Sequence, residues 1–475
     1  MLSVEKIGGT SMSRHIDVLN NIWLQPKNGS LYNRIFVVSA YSGVTDQLLE
    51  HKKTGAAGVY SCFAEAEQDD AWQQQLLHAR DSLMRINQQM FKGQELKLAN
   101  DFIEHRIEGA AGCMQSLHNL CSYGHFQLES QLDTVREMLA SIGEAHSAFN
   151  SVLLLKQQGI KARMVDLTGW NLESPLAFDE MIQQSFADLD PAREMLIATG
   201  YTHCRESLMK TFDRGYSEMT FSRIATALGA DEAIIHKEFH LSSADPRIVG
   251  EDNVVTLGMS NFDVADQLSN LGMEAIHPKA ARGLRQAGIP LRIKNTFEPE
   301  HSGTLISQDY CNPRPCVEII AGRKDVFGIE VFDQEMLGNP SYDIGITGLL
   351  KQLKIDVVNK EADANSITFY VAGNRKMINR IVRLIEEEYP SADVNVHNIA
   401  LISAIGSDIK VKGMLARTVS ALSEADISVL ALHQTLRQVE MQCVVAESDY
   451  EAAIRALHAA LVEEEDHGNV IRGAA

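Results

Sequence analysis

The residues best suited to chemistry stand at the start of the chain, in Val4-Glu5-Lys6-Ile7-Gly8-Gly9-Thr10-Ser11. An apolar run ends in a lysine, two glycines follow, and hydroxyls come next. Glycines let a backbone approach an anion closely, and successive amides can form a nest around its oxygens. A lysine beside such a nest adds a point charge suited to a transferring phosphoryl group. The stretch matches neither GxGxxG nor the Walker pattern, so taken alone it reads more readily as a strand-to-helix turn.

Four further stretches have the same character. Val38-Ser39-Ala40-Tyr41-Ser42-Gly43-Val44-Thr45-Asp46 is a hydroxyl-rich loop after an apolar strand, where open α/β sheets bind ligands. Ser141-Ile142-Gly143-Glu144 reads as a carboxylate at a helix start, which equally serves the helix dipole. Asp213-Arg214-Gly215-Tyr216-Ser217-Glu218-Met219-Thr220 offers a guanidinium fork for a carboxylate or phosphate, while Ser217 and Glu218 would equally cap the helix that follows. Ser242-Ser243-Ala244-Asp245-Pro246-Arg247 is a polar turn stiffened by proline.

The elements that must position these pieces alternate. Strand-like runs at Leu2–Lys6, Ile35–Val38, Ala162–Leu167, Met195–Ala198, Ala233–His236 and Leu291–Ile293 are interleaved with helical patterns. Continuous apolar strands covered on both faces predict a mostly parallel α/β sheet sandwiched by helices. Residues 68–140, rich in Gln, Glu, Leu, Ala and Met, predict helices with no strand between them, and Glu144–Gln157 a further helix. A boundary falls between Phe297 and Val317, where Pro299, Gly303, Pro313 and Pro315 interrupt any helical period. Beyond it a βαββα order occurs twice, an internal duplication of roughly 70 residues per copy. The expected domains are a catalytic domain over 1–310 with a helical insert at about 60–140, small α/β modules over 317–392 and 397–465, and a tail over 466–475.

Bulk properties exclude several classes. With 475 residues at ~150 per domain, about three domains are expected. A net charge of −20 disfavours nucleic acid and anionic membranes as partners. No run of ~18 apolar residues occurs and no basic-then-apolar leader opens the chain, so a cytoplasmic protein is expected. The seven cysteines include no CxxC pair and the sixteen histidines no HExxH, so reduced thiols and no metal-ligand cluster are expected.

In this order and at these distances, the pieces resemble the aspartate kinases of the amino acid kinase family. The family's Lys-x-Gly-Gly-Thr-Ser opening stands here as Lys6–Ser11, and its Ser-Ala-x-Ser-Gly-Val-Thr loop as Ser39–Thr45. Gly143-Glu144, Arg214–Thr220, Asp245-Pro246-Arg247, Ile276-His277-Pro278 and the later Phe297, Pro299 and Gly303-Thr304 also fit. The duplicated tail is similar to paired ACT modules, so the resemblance covers nearly the whole chain. The opening and Val37–Tyr41 are most similar to the subgroup associated with ectoine synthesis.

The resemblance implies transfer of the ATP γ-phosphoryl group to the side-chain carboxylate of L-aspartate, giving 4-phospho-L-aspartate. It implies Lys6 and Glu218 as catalytic residues, with Mg²⁺ on the nucleotide phosphates and no dedicated protein metal site. Thr45, Glu144, Arg214 and Ser217 are implied to bind aspartate, Arg214 at a substrate carboxylate and Glu144 at its ammonium. Gly8, Gly9, Thr10, Ser39, Lys237, Glu238, Ser243 and Arg247 are implied for the nucleotide. Paired ACT modules imply a homodimer or higher homo-oligomer and a possible amino-acid effector, against a purely scaffolding role.

The chain also departs from the pattern. Tyr216 replaces a loop glycine, Glu218 an aspartate and Ser242 a tyrosine often found near adenine. Glu274, in Gly272-Met273-Glu274, replaces a nucleotide-facing lysine whose charge Lys237 could supply. These departures keep two other readings open: a related amino acid kinase acting on another carboxylate, and a non-catalytic amino-acid-sensing subunit.

Overall fold

The computed structural model describes every residue except 53, 66–70, 171, 213–214, 274, 464–470 and 473–475. Arg214 and Glu274 therefore lie outside the described residues. The chain divides into two compact units, the first comprising 1–240 and 276–308, the second 241–275 and 309–475. The segment Leu241–Ala275 thus groups with the C-terminal unit, although it precedes the boundary expected from the proline-rich stretch.

In the first unit, strands β1 (Ser3–Ile7), β2 (Arg34–Val38), β3 (Ala162–Val165), β4 (Met195–Thr199), β5 (Glu232–Lys237), β6 (Leu291–Asn295) and β7 (Thr304–Ser307) lie in the order β3-β4-β2-β1-β5-β6-β7. All neighbours are parallel except β6 and β7. Every residue of β1, β2 and β4 is buried, as expected of a parallel sheet covered on both faces. Lys6 pairs in register with Val37 on one side and Ile235 on the other, so the loops after β1, β2 and β5 emerge side by side.

This apolar centre holds one buried ionic cluster. Glu5 accepts from Arg34 Nε at 2.7 Å and Nη2 at 2.9 Å, and meets His236 Nε2 at 2.8 Å. Burial pushes the Glu5 carboxyl up, but the Arg34 charge and its hydrogen bonds with His236 and Arg34 outweigh this and hold it well below the usual range. Glu5 and His236 immediately precede Lys6 and Lys237, the residues that lead into the β1 and β5 loops, and as neighbours on a strand point to the opposite face.

The expected insert is helical, with long helices at Ala71–Met90 and Gly93–Ser122. The next helix runs Leu132–Gln157 and corrects the expectation of a helix starting at Glu144, which lies mid-helix. The missing Cβ of Gly143 serves packing: a Cβ there would come within 2.8 Å of Ala40 Cβ and 2.9 Å of Val44 Cγ1. The Ser39–Thr45 loop is seated on that bare turn.

In the second unit, β8 (Ile319–Phe332), β9 (Asp356–Ala362), β10 (Ser366–Ala372), β11 (Asp393–Ile405), β12 (Ala431–Gln434) and β13 (Glu440–Ala446) form one six-stranded antiparallel sheet, ordered β9-β10-β8-β11-β13-β12. The two repeats are nested rather than strung in tandem. The first half of β8 (Ile319–Arg323) pairs with Leu401–Ile405, and the second half (Val326–Phe332) with both β10 and Asp393–Ile399. An irregularity between Arg323 and Val326 separates the halves. Ile320 belongs to the core of Met414, Leu422, Ile454 and Leu457, whereas Ile329 and Val331 pack with Ile346, Ile378 and Ile385. On the opposite face, Val264 and Leu268 of helix Phe262–Asn270 pack with Ile319, Leu401 and Val444, which explains why Leu241–Ala275 groups with this unit. Among the described residues no helix is long and apolar enough to cross a membrane.

Candidate active site

The carboxyl ends of the parallel strands converge in the first unit. β1 runs into Gly8-Gly9 and a short helix, Gly9–Ser13. Gly9 must be glycine, because a Cβ would lie 2.5 Å from the Ala40 carbonyl oxygen in the neighbouring loop. Ser11 donates through its amide (3.0 Å) and hydroxyl (3.1 Å) to Glu238 Oε1, just past β5, and meets Thr296 Oγ1 just past β6 at 3.0 Å. The nest-forming turn is thereby tied to both strands on its far side. Gly8 and Gly9 are half-buried and Thr10 is exposed.

The Lys6 side chain is nearly buried, and its Nζ lies 3.3 Å from Glu218 Oε1. Glu218 stands in the first turn of helix Tyr216–Ala227. Its other oxygen accepts from the backbone amide of His277, which gives Ile276-His277-Pro278 a definite task. Burial pushes the Glu218 carboxyl up, but the charges of Lys6 and then Lys237, with the His277 amide, outweigh it and keep the group ionised below its ordinary value. Two lysines, from adjacent strands, thus surround one carboxylate beside a glycine turn. Two ammonium groups stand beside the glycine turn, and Glu218 pre-orients that of Lys6.

A second polar cluster, with different electrostatics, gathers around Glu144. Glu144 is buried, and one of its oxygens has no hydrogen-bond partner. Burial pushes its carboxyl up to about 8, against the opposing pull of the Lys6 charge and hydrogen bonds from the Tyr216 side chain and the Ala40 and Tyr201 backbone. Ser217 is buried, and its hydroxyl lies 3.3 Å from that of half-buried Ser39. Gly200, just past β4, keeps this corner open: a Cβ there would approach Ser217 Cβ at 2.7 Å, the Val38 oxygen at 2.8 Å and Glu144 Oε1 at 3.2 Å. Thr45 is half-buried in the first turn of helix Val44–Leu48, entered through Gly43 at φ +80°. A buried acid with a free lone pair, ringed by hydroxyls, suits the ammonium and polar groups of a small amino acid.

Lys6, Gly8, Gly9, Thr10, Ser39, Thr45, Glu144, Ser217, Glu218, Lys237 and Glu238 all belong to the first unit. Ser243 and Arg247 belong to the second. Ser243 is fully buried, with its hydroxyl 2.9 Å from His458 Nε2. Arg247 is exposed and paired with Asp245 at 2.7 Å. A nucleotide role for these two rests on the sequence resemblance. Sequence reasoning missed Gly200, Ser11, Thr296 and the hydroxyl of Tyr216 as a partner of Glu144. For Gly200 a signal existed, a glycine immediately after an apolar strand; for the others the partners are distant in sequence.

The first 295 residues match the model of the amino acid kinase family, and 402–461 match that of an ACT domain. The chain belongs to the amino acid kinase family, among its aspartate kinases. It is 66% identical, over 100% of both chains, to the aspartate kinase Ask_Ect of Stutzerimonas stutzeri. It is 26% identical to the chloroplastic aspartokinase 2 of Arabidopsis thaliana, over 97% of this chain and 84% of that one. Among solved structures it is similar in fold to E. coli aspartokinase III in complex with lysine and aspartate (TM-score 0.73, 18% identity, 97% of this chain and 99% of that chain). A second is the aspartate kinase of Clostridium acetobutylicum (TM-score 0.72, 20% identity, 97% of this chain and 100% of that chain). The aspartate kinase pattern that this family member keeps is concentrated at Lys6–Ser11 and Ser39–Thr45, the two loops that the structure seats against each other.

Proposed function

We propose that this chain transfers the γ-phosphoryl group of ATP to the side-chain carboxylate of L-aspartate, giving 4-phospho-L-aspartate. The observation that carries the reading is the 66% identity over the full length of an aspartate kinase, and the geometry of the first unit supports it. At neutral pH the nucleophile is already a carboxylate, so no strong base is needed. The barrier is the approach of one anion to another, and positioning with charge neutralisation lowers it. Lys6 and Lys237 supply positive charge where the phosphoryl group moves, and Glu218 fixes the Lys6 ammonium in place. The Gly8-Gly9 turn, bare of side chains, lets the phosphate oxygens approach the backbone. Glu144 receives the substrate ammonium; Thr45 and Ser217 orient its carboxylates, with Arg214 as their guanidinium partner, and Ser39 faces the nucleotide.

Mg²⁺ would come with the nucleotide and supply positive charge against its phosphates. The oxygen donors on hand beside the glycine turn are Glu218 and Glu238, and among the described residues no ready-made metal cluster exists. The ion neutralises phosphate charge when bound.

The enzyme works in the cytoplasm, as a homodimer or higher homo-oligomer, and feeds the ectoine branch of aspartate metabolism. Exposed Leu337, Ile344 and Val357 on the first nested module support a contact between copies there. The test of the central reading is ATP-dependent formation of an acyl phosphate from L-aspartate, trapped by hydroxylamine. No trapped product, or product only with another acid, overturns it.

A further inference from the structure

The helical insert makes one buried polar contact set with the helix that carries Glu144. Asn87, on helix Ala71–Met90, is fully buried, and so are His146 and Asn150 on helix Leu132–Gln157. Asn87 Nδ2 donates to Asn100 Oδ1 on helix Gly93–Ser122 at 3.0 Å. That bond turns Asn87 Oδ1 toward the third helix, where it lies 2.6 Å from His146 Nε2 and accepts from Asn150 Nδ2 at 2.8 Å. A single carboxamide thus joins three helices.

His146 Nε2 also lies 3.1 Å from Asn150 Nδ2, but the shorter contact is with Asn87 Oδ1, an acceptor, and that contact requires the proton on Nε2. Its Nδ1 is buried without a partner, a tolerable state for a bare lone pair but not for a protonated nitrogen. Burial accordingly pushes the imidazole down to about 3. His146 is a neutral donor throughout the working range.

The same cluster grips the Ser39–Thr45 loop. The Tyr41 ring packs edge-on against His146, with centroids 5.4 Å apart and planes at 71°. Its hydroxyl reaches Met90 Sδ at 3.3 Å, on the same insert helix as Asn87. The next residue, Ser147, donates to the Ser39 carbonyl at 2.8 Å. Glu144 lies two residues before His146, and Ser39 and Thr45 flank Tyr41 in the loop. These links from the insert end beside Glu144 on its own helix and in the Ser39–Thr45 loop, whereas Arg106 of helix Gly93–Ser122 bonds elsewhere, to Thr168 and Asp166.

We infer that Asn87, His146 and Tyr41 are positioning residues for the amino-acid substrate, and that the helical insert acts as a brace holding Glu144 and the Ser39–Thr45 loop at fixed separation. The inference rests on the reading of Glu144 as the ammonium site. A brace acts on one substrate. A general stabiliser changes only the amount of active enzyme.

The test uses the full chain and steady-state kinetics with each substrate varied in turn. In Asn87→Leu and His146→Leu, the KM for L-aspartate rises on the order of tenfold and the KM for ATP by clearly less, because the lost contacts lie beside Glu144 and reach the glycine turn only through the Ser39–Thr45 loop. His146→Gln, which keeps an N–H near the Nε2 position, restores most of the loss. Should the leucine variants fail to fold, Tyr41→Leu, in the loop itself, gives the same split. A fall in kcat with both KM values unchanged overturns the brace, as does a glutamine variant no better than the leucine one. Glu144→Gln separates the two readings. If it raises the KM for aspartate while the insert variants do not, the brace alone fails. If it leaves that KM unchanged, the assignment of Glu144 fails, and the insert variants then report on the loop alone.

Discussion

Lys6 Nζ and Glu218 Oε1 lie 3.3 Å apart, joined from residues 212 positions apart in the chain. The pair stands where the glycine turn leaves the central strand, and the carboxylate is held from its far side by the His277 amide. Glu218 therefore aims the ammonium rather than merely neutralising it. Replacing Lys6 by alanine removes a preorganised charge facing the transferring group, and kcat should fall about 10²- to 10³-fold. Hydroxamate formation measures it; a loss below tenfold would remove Lys6 from the transfer step.

Glu144 predicts a pH signature. Its folded value of about 8 lies above the ordinary 4.5, so the free enzyme holds it protonated at neutral pH. Pairing with the substrate ammonium needs the ionised form. Aspartate binding near pH 7 should therefore release a proton, and kcat/KM for aspartate should rise toward pH 8. Calorimetry in buffers of different ionisation heat reads the proton directly. For the free protein the sign is opposite: the unfolded chain ionises first, so Glu144 costs stability progressively as pH rises from about 4.5 to about 8. Proton uptake on binding would contradict the assignment.

Gly9→Ala should disrupt both loops together. Its Cβ would meet the Ala40 carbonyl oxygen at 2.5 Å, and backbone cannot step aside as a flexible side chain can. A cost of about 1–3 kcal/mol is expected, with the KM for both substrates raised. Urea unfolding and kinetics check it; an unchanged midpoint would mean that the loops move freely.

Arg34→Met leaves Glu5 buried beside His236 without its bidentate partner. Breaking such a pair costs about 3–5 kcal/mol. Glu5 is held below its ordinary value, so its contribution is present above the unfolded pKa and fades as pH falls. The variant's deficit should shrink in acid, and a deficit independent of pH would argue for lost packing instead.

Regulation is tested most directly by adding lysine or threonine at millimolar levels to the kinase assay. If the chain serves the ectoine branch, weak inhibition by either amino acid is expected. Strong inhibition by either amino acid would assign an effector site to the nested modules.

Much of this was readable in order along the chain. Lys6–Ser11, Ser39–Thr45 and the apolar strands before them specify local conformation through side-chain size, glycine freedom and burial, which are properties of short windows. The same windows misread Gly143-Glu144 as a helix start, because a glycine that breaks a helix and one that admits a neighbouring loop look alike until Ala40 and Val44 are in place. The repeats looked tandem because periodicity cannot show that one long strand, Ile319–Phe332, serves two cores through its two halves. The pairing of Lys6 with Glu218, the raised Glu144 carboxyl and the Asn87 junction are set by desolvation and by partners from dozens to hundreds of residues away. The sequence determined which groups were available and which turns could carry them. Only the tertiary structure decided which were buried together, and burial decides whether a charge is paired, neutral or poised to react.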